Sequence, residues 1–141
     1  MAEILINIDV DDLERAVAFY TSALGLRVGR HFGDWVELVG AQAPIYLLPK
    51  AAGSAPFAGA RLGRDYSRHW TPLHLDFVVS DLNAAMARAE AAGARLEAPV
   101  SEHRYGLLAL YSDPFGHGFC LLEFRGRGYD EIVVSPQPSS G

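Results

Sequence analysis

The sequence has little cysteine, no excess of positive charge and no long hydrophobic run. Its 141 residues include one cysteine, Cys120, which excludes a disulfide-stapled scaffold and fits a reducing compartment. Twelve basic residues against seventeen acidic ones leave a formal charge of −5. A protein that neutralises phosphates needs a basic surface, so we expect no nucleic-acid partner.

The apolar start of the chain, residues 4–6, reaches Asn7 and Asp9 within a few residues, which is too soon for a membrane span. No basic segment precedes it, as a signal peptide would require. Half of the residues are hydrophobic and 11% are aromatic, which excludes a disordered chain. We therefore expect one globular domain over residues 1–141, located in the cytoplasm and without a membrane partner.

The first half of the chain carries a strand pattern, a helix pattern and then further strand patterns. Residues 4–10 (ILINIDV) alternate and are rich in β-branched side chains, which predicts a strand. Asp11 and Asp12 then supply a helix N-cap, apolar residues follow at helical spacing to Leu24, and Gly25 is typical of a C-cap. Strand-like segments follow at residues 26–32, 34–39 and 44–48. This half therefore reads β-α-β-β-β.

The second half repeats the same order of patterns. Residues 75–79 (LDFVV) predict a strand, Asp81 a second N-cap and Gly93 a second C-cap. Further strand-like segments lie at residues 95–98, 106–112 and 118–124. The repeat indicates an internal duplication, with Asp81 standing 69 residues after Asp12. The alternative is that any two amphipathic helices resemble one another.

The two halves are joined by residues 49–73, which are rich in glycine, alanine and proline. A connection of this length is uncommon in a compact domain, so it is either a functional loop or a plain tether. We divide the domain into a first module at residues 4–48, this linker, a second module at residues 74–125 and a C-terminal tail at 126–141. The last residues, 135–141, have the composition of a frayed end.

Three phrases resemble the vicinal oxygen chelate superfamily, which includes glyoxalase I, bleomycin resistance proteins and extradiol dioxygenases. They are DDLERAVAFYTSALGL at residues 11–26, HLDFVVSDLNAAMARAEAAGA at 74–94 and YSDPFGHGFCLLEF at 111–124. The most specific parts are the FY-x₃-LG segment and the DPFGH turn. The resemblance implies an α+β fold, in which tandem βαβββ modules form a curved mixed sheet around a funnel. It also implies a homodimer.

The resemblance implies metal ligands on the first and last strand of each module, usually histidine, glutamine or glutamate. The corresponding positions in this sequence are Leu5, Tyr46, His74 and Cys120. Of these, His74 alone is a usual ligand in the family. We therefore predict no metal and no other cofactor. An atypical site built from His74, Asp76 and Cys120 remains an alternative, as does a core histidine that is paired with Asp76 and has no further role.

Side chains alternate between the two faces of a strand, so every second residue of the strands that begin and end each module should face the funnel. Leu5 and Val78 are two of these residues. The predicted ligand-binding residues on these strands are Asn7, Asp9, Tyr46, His74, Asp76 and Cys120. Three further aromatic residues are expected at the mouth of the funnel: Trp35, Trp70 and Tyr105. Aromatic side chains with a few polar groups are typical of a small-molecule pocket.

These observations favour a metal-independent protein that binds a small aromatic or cationic organic molecule. The alternative is an enzyme, a glyoxalase-like lyase or isomerase or a dioxygenase, with an atypical or absent metal site. The sequence identifies no catalytic residue. A purely structural or regulatory module is a third interpretation.

Overall fold

The computed structural model describes residues 1–135. The first half contains one helix and four strands: β1 (Ile6–Val10), α1 (Leu13–Leu24), β2 (Arg27–His31), β3 (Val36–Val39) and β4 (Ile45–Pro49). The strands form one sheet in the order β1-β4-β3-β2, in which β1 and β4 are parallel and the other pairs are antiparallel. This is the predicted β-α-β-β-β order.

The second half repeats this arrangement with one additional strand. Its elements are β5 (Leu75–Val78), α2 (Leu82–Ala92), β6 (Arg95–Leu96), β7 (Ser101–His103), β8 (Gly106–Ser112) and β9 (Gly118–Phe124). They form a second sheet in the order β5-β9-β8-β6, and β7 also pairs with β8. The predicted α+β fold of tandem βαβββ modules is confirmed.

Several predicted strand bounds were wrong. The first strand begins at Ile6 rather than at residue 4, because the ladder starts at the Ile6–Ile45 pair and Pro44 has no amide hydrogen with which to extend it. The segment predicted at 34–39 becomes a strand at Val36, and the segment predicted at 95–98 is a strand only at Arg95–Leu96. Strand β7 was not predicted.

The predicted tail contains structure of its own. A 3₁₀ helix spans Gly128–Ile132. Most of the segment predicted to be frayed, residues 136–141, lies outside the described residues. Within residues 1–135, no helix combines the length and the apolar character that crossing a membrane requires.

Both helices begin and end as the sequence predicts. Asp12 accepts a hydrogen bond from the amide of Arg15 at 3.0 Å, and Asp81 accepts one from the amide of Ala84 at 3.1 Å. Gly25 and Gly93 end the helices with φ angles of 66° and 114°, in the left-handed region that favours glycine. These caps fix where each helix meets its sheet.

The core lies between the helices and one face of each sheet. Helices α1 and α2 also pack against one another, so the two halves share a single core. Its largest buried side chains come from both halves: Phe19, Leu38, Ile45, Leu47, Leu82, Tyr111, Phe115 and Leu121. The opposite face of each sheet carries no helix, and this open face holds the candidate site.

Candidate functional site

The residues predicted to line the funnel lie on the open faces of the two sheets. On β1, Val10 is fully buried toward the helices, whereas Leu5, just before the strand, is 56% exposed. On β5, Val78 is 59% exposed, and His74 and Asp76 are exposed with it. The side-chain alternation predicted from the sequence therefore holds on both edge strands.

A hydrogen-bonded network occupies the open face of the first sheet. Tyr46 pairs with Asn7 on one side and with Glu37 on the other. Its hydroxyl donates a hydrogen bond to Glu37 Oε2 at 3.0 Å, and Arg30 Nη2 contacts the same carboxylate oxygen at 2.7 Å. Arg30 Nη2 also donates to the Tyr46 hydroxyl oxygen at 3.1 Å. The Tyr46 hydroxyl is therefore hydrogen-bonded to both members of the Arg30–Glu37 ion pair.

The pKa of Glu37 is lowered to about 2, mainly by hydrogen bonds from the side chain and the backbone amide of Arg30. Gly29 makes the close approach of this carboxylate possible, because a Cβ atom there would lie 2.6 Å from Glu37 Oε1. Sequence analysis missed both Arg30 and Glu37. Side-chain alternation along β3 could have placed Glu37 on the open face, but its pairing with Tyr46 is known only from the register of β3 and β4.

An aromatic shelf, formed by Phe32, Trp35 and Tyr46, lies beside this network. Phe32 and Trp35 are stacked, with ring centroids 4.0 Å apart and an interplanar angle of 18°. The centroid of Trp35 lies 5.7 Å from that of Tyr46. The structure thus brings together two of the predicted ligand-binding residues, Trp35 and Tyr46.

A polar triad, formed by His74, Asp76 and Cys120, occupies the open face of the second sheet. Asp76 and Cys120 are paired across β5 and β9, and His74 Nε2 lies 3.1 Å from Asp76 Oδ1. One potential ligating atom from each of the three residues falls within 4.8 Å of the others. The pKa of the Cys120 thiol is raised to about 12, first by burial and then by the charge of Asp76.

The triad adjoins a cleft between the two halves. One cavity of 390 Å³ is lined by Asn7, Asp9 and His74 together with Thr71 and His117. A neighbouring cavity of 230 Å³ shares Thr71 and His74 with it. That second cavity also reaches Arg68, Trp70, Glu97 and Cys120. Five predicted site residues therefore line these two neighbouring cavities: Asn7, Asp9, Trp70, His74 and Cys120.

Tyr105 lies in the turn between β7 and β8 and does not line these two cavities. Its ring stacks on His103 at 4.8 Å and lies 5.1 Å from the ring of Tyr129, in the 3₁₀ helix. Tyr129 also packs edge-on against Phe124 at 4.8 Å. Burial raises the pKa of Tyr129, and the nearby charge of Asp76 raises it further. Tyr129 is thus a third residue that sequence analysis missed, since it falls in the predicted tail.

The linker is attached to the cleft at several points. Arg64 Nε lies 2.8 Å from Asp9 Oδ2, and Arg68 Nε lies 2.6 Å from Glu97 Oε2. A Cβ atom at Gly118 would lie 2.6 Å from Arg68 Nη2, so glycine makes room for this arginine. Beyond Arg68 the linker places Trp70 and Thr71 in the cleft wall.

The side chains at the four positions implied by the resemblance to the vicinal oxygen chelate superfamily do not form that superfamily's four-ligand metal site. Leu5 offers an alkyl side chain, and the Tyr46 hydroxyl is bonded to Glu37 and Arg30. The second sheet offers the three donors of the polar triad, but the two ligand positions of the first sheet offer none.

The comparisons with known proteins agree on the fold. A sequence model of a glyoxalase-like domain matches residues 5–122, whereas no protein of curated function matches the chain. A genomically encoded fosfomycin resistance protein from Listeria monocytogenes is 16% identical, with a TM-score of 0.70 over 94% of this chain and 98% of that one.

Two other solved structures show the same likeness. A glyoxalase/bleomycin resistance protein/dioxygenase family enzyme from Burkholderia phytofirmans is 20% identical, with a TM-score of 0.68 over 88% of this chain and 100% of that one. A lactoylglutathione lyase from Agrobacterium tumefaciens is 21% identical, with a TM-score of 0.60 over 86% and 92% of the two chains. At these identities the structures show a shared fold.

Proposed function

The chain belongs to the glyoxalase-like domain family of the vicinal oxygen chelate superfamily, and we propose that it captures a small aromatic or cationic organic molecule without a metal ion. One observation carries the proposal: the first sheet has Tyr46 in an ion-pair network at a position where the superfamily places a metal ligand. With Leu5 at the other position, neither ligand position of this sheet has a donor to contribute to a shared metal.

The cleft and the aromatic shelf supply the recognition that such capture requires. Phe32 and Trp35 are half-buried, so parts of both rings remain accessible to a stacking ligand. Polar groups at the cleft then orient the ligand. Of the two aspartates among the predicted ligand-binding residues, Asp9 is already paired with Arg64. The proposal therefore assigns the cation to Asp76, whose neighbours are His74 and Cys120.

A ligand screen with a chelator tests the proposal directly. We expect members of a panel of aromatic and cationic compounds to raise the melting temperature, because a ligand that binds only the folded state stabilises it. The same compounds should raise it equally in the presence of EDTA. A stabilisation that disappears with EDTA and returns with Zn²⁺, Ni²⁺ or Mn²⁺ would overturn metal independence. A panel without any stabiliser would favour a structural or regulatory module.

A second candidate function is that of a glyoxalase-like lyase or isomerase. The convergence of three donor atoms in the polar triad favours it, since a histidine, a carboxylate and a thiol are ligands that zinc accepts. A metal held there would polarise a substrate oxygen. Assays with a glutathione hemithioacetal and with fosfomycin, each with added Zn²⁺, Ni²⁺ or Mn²⁺, test this candidate. Turnover that Cys120→Ser and Asp76→Asn abolish would support it, and inactivity with every metal counts against it.

We also propose that the protein is a homodimer. Leu5, just before β1, and Val78 on β5 expose apolar side chains at the two edge strands, and edge strands of a sheet are commonly covered by a partner. Light scattering after size-exclusion chromatography measures the mass. We expect the mass of two chains, and a monomer at micromolar concentration would contradict the proposal.

A further inference from the structure

Arg30 has hydrogen-bonding capacity that its ion pair leaves unused. Its Nε and Nη2 atoms donate to Glu37, and Nη2 also donates to Tyr46. Among the described residues no acceptor contacts Nη1, which carries two N–H groups. The side chain of Arg30 is 67% exposed, whereas that of Glu37 is 9% exposed. The arginine therefore covers the carboxylate and presents its free edge to solvent.

This free edge lies beside the aromatic shelf. The guanidinium carbon of Arg30 lies 5.5 Å from the ring centroid of Phe32, within the range of a cation–π contact. Phe32 is stacked on Trp35, and Tyr46 completes the shelf. A planar, exposed guanidinium next to aromatic rings combines two kinds of recognition, because the rings contact an aromatic ligand while the guanidinium donates to an anionic group.

Because Glu37 is buried beneath Arg30, the Nη1 atom of the guanidinium remains open to the carboxylate of a ligand. Glu37 occupies the Nε side of the guanidinium and lies beneath it in the sheet. A ligand carboxylate at Nη1 would approach from the solvent side. The charge of Glu37 opposes such a ligand, so removal of that charge should strengthen its binding.

We propose that Arg30 binds the carboxylate of a small aromatic acid whose ring packs against the aromatic shelf. The inference rests on the proposed function, which it deepens by naming a ligand class and a recognition residue. Arg30 lies on β2, outside the four metal-ligand positions that the superfamily resemblance implies.

Two tryptophans allow the shelf and the cleft to be observed separately. Trp35 belongs to the shelf and Trp70 to the cleft wall, and they are the two tryptophans of the chain. Their indole N–H signals in a ¹H–¹⁵N NMR spectrum are assigned with Trp35→Phe. The protein is then titrated with 2-naphthoate, with neutral 2-naphthamide and with cationic 2-naphthylmethylammonium. We expect 2-naphthoate to shift the Trp35 signal and to bind more tightly than the other two probes.

Variants of the ion pair give the sharper test. Arg30→Met alone leaves Glu37 without its partner, so a double variant, Arg30→Met with Glu37→Gln, keeps the site neutral if the single variant fails to fold. We expect Glu37→Gln to bind 2-naphthoate about threefold or more tightly than the native protein, and the double variant to bind it about tenfold or more weakly than Glu37→Gln. Affinity for 2-naphthamide should change little. Arg88→Met, which removes an exposed arginine of α2, is the matched control and should change neither affinity.

Each of the following three outcomes would overturn the inference. Equal affinity for 2-naphthoate in Glu37→Gln and in the double variant would exclude Arg30 as the recognition residue. A shift at Trp70 without one at Trp35 would place the ligand in the cleft, which contradicts the shelf and leaves the proposed function standing. Unchanged signals of both indoles with all three probes would also overturn the inference, whereas the proposed function fails if the compound panel yields no stabiliser or if the stabilisation requires a metal ion.

Discussion

The hydroxyl of Tyr20 donates a hydrogen bond to the buried carboxylate of Asp113, 93 residues away in the sequence. The two residues belong to the two motifs that carry the superfamily resemblance, the FY-x₃-LG segment in α1 and the DPFGH turn between β8 and β9. Asp113 also accepts hydrogen bonds from the amides of Phe115 and His117, at 2.8 and 2.9 Å. The motifs therefore join the two halves of the fold at one point.

Loss of this hydrogen bond should destabilise the whole domain. Tyr20→Phe removes one of three donors to a buried carboxylate, and we expect the free energy of unfolding to fall by about 1–3 kcal/mol. Burial and the nearby Asp113 raise the pKa of Tyr20 well above its ordinary value of 10, so the hydroxyl should keep the proton that it donates in neutral and mildly alkaline solution. Urea denaturation followed by circular dichroism measures the change. Tyr105→Phe, which removes a tyrosine hydroxyl that has no hydrogen-bond partner among the described residues, is a control, and an unchanged midpoint for Tyr20→Phe would contradict the assignment.

The Arg30–Glu37 ion pair should make stability depend on pH in the acid range. The pKa of Glu37 is about 2 in the folded protein and 4.5 ordinarily, so its contribution is present above pH 4.5 and is lost as the pH falls toward 2. We expect the urea midpoint of the native protein to fall more between pH 5 and pH 2.5 than that of Glu37→Gln. Identical pH dependence of the two proteins would show that the ion pair does not form in solution.

Cys120 should react slowly with thiol reagents in the folded protein. Its pKa of about 12 leaves about a thousandfold less thiolate at pH 7 than an ordinary cysteine has. We expect iodoacetamide to label the native protein far more slowly than the urea-unfolded protein, as measured by mass spectrometry. Asp76→Asn should accelerate labelling in part, because it removes the charge that, after burial, raises the pKa of the Cys120 thiol. Rapid labelling of the native protein at pH 7 would contradict the described environment of the thiol.

The ion pair between Arg64 and Asp9 should hold the linker in place. Arg64 also donates from Nη1 to Ser54 Oγ at 3.1 Å and to the carbonyl of Ala55 at 2.9 Å. We expect Arg64→Ala to accelerate hydrogen exchange at the amide of Gly53, which bonds to the Arg64 carbonyl at 2.8 Å. Exchange measured by mass spectrometry on linker peptides tests this. Arg61→Ala, an exposed neighbour in the linker, should have no effect, and equal exchange in both variants would contradict the attachment.

The sequence predicts the fold well because its signals are local. The aspartate caps at Asp12 and Asp81 and the glycine ends at Gly25 and Gly93 act within one helix turn, and each appears where the structure has it. Side-chain alternation likewise needs only neighbouring residues, so the open face of β1 and β5 was predicted correctly.

The remainder of the site depends on contacts between distant residues. Glu37 reaches Tyr46 through the register of β3 and β4, and Arg68 meets Glu97 from 29 residues away. Neither pairing leaves a periodic signal in the sequence. Tyr129 folds back through packing against Phe124, whereas a composition-based interpretation made this segment a tail.

A determination of bound metal tests the central claim most directly, which is that the protein binds its ligand without a metal ion. Protein purified without chelators should contain well under one equivalent of any transition metal by plasma mass spectrometry. Titration with Co²⁺ should give no thiolate-to-cobalt absorption band, since neither ligand position of the first sheet offers a donor to complete a site around Cys120. One equivalent of metal, lost in Cys120→Ser and in Asp76→Asn, would contradict the account and would establish the polar triad as a metal centre.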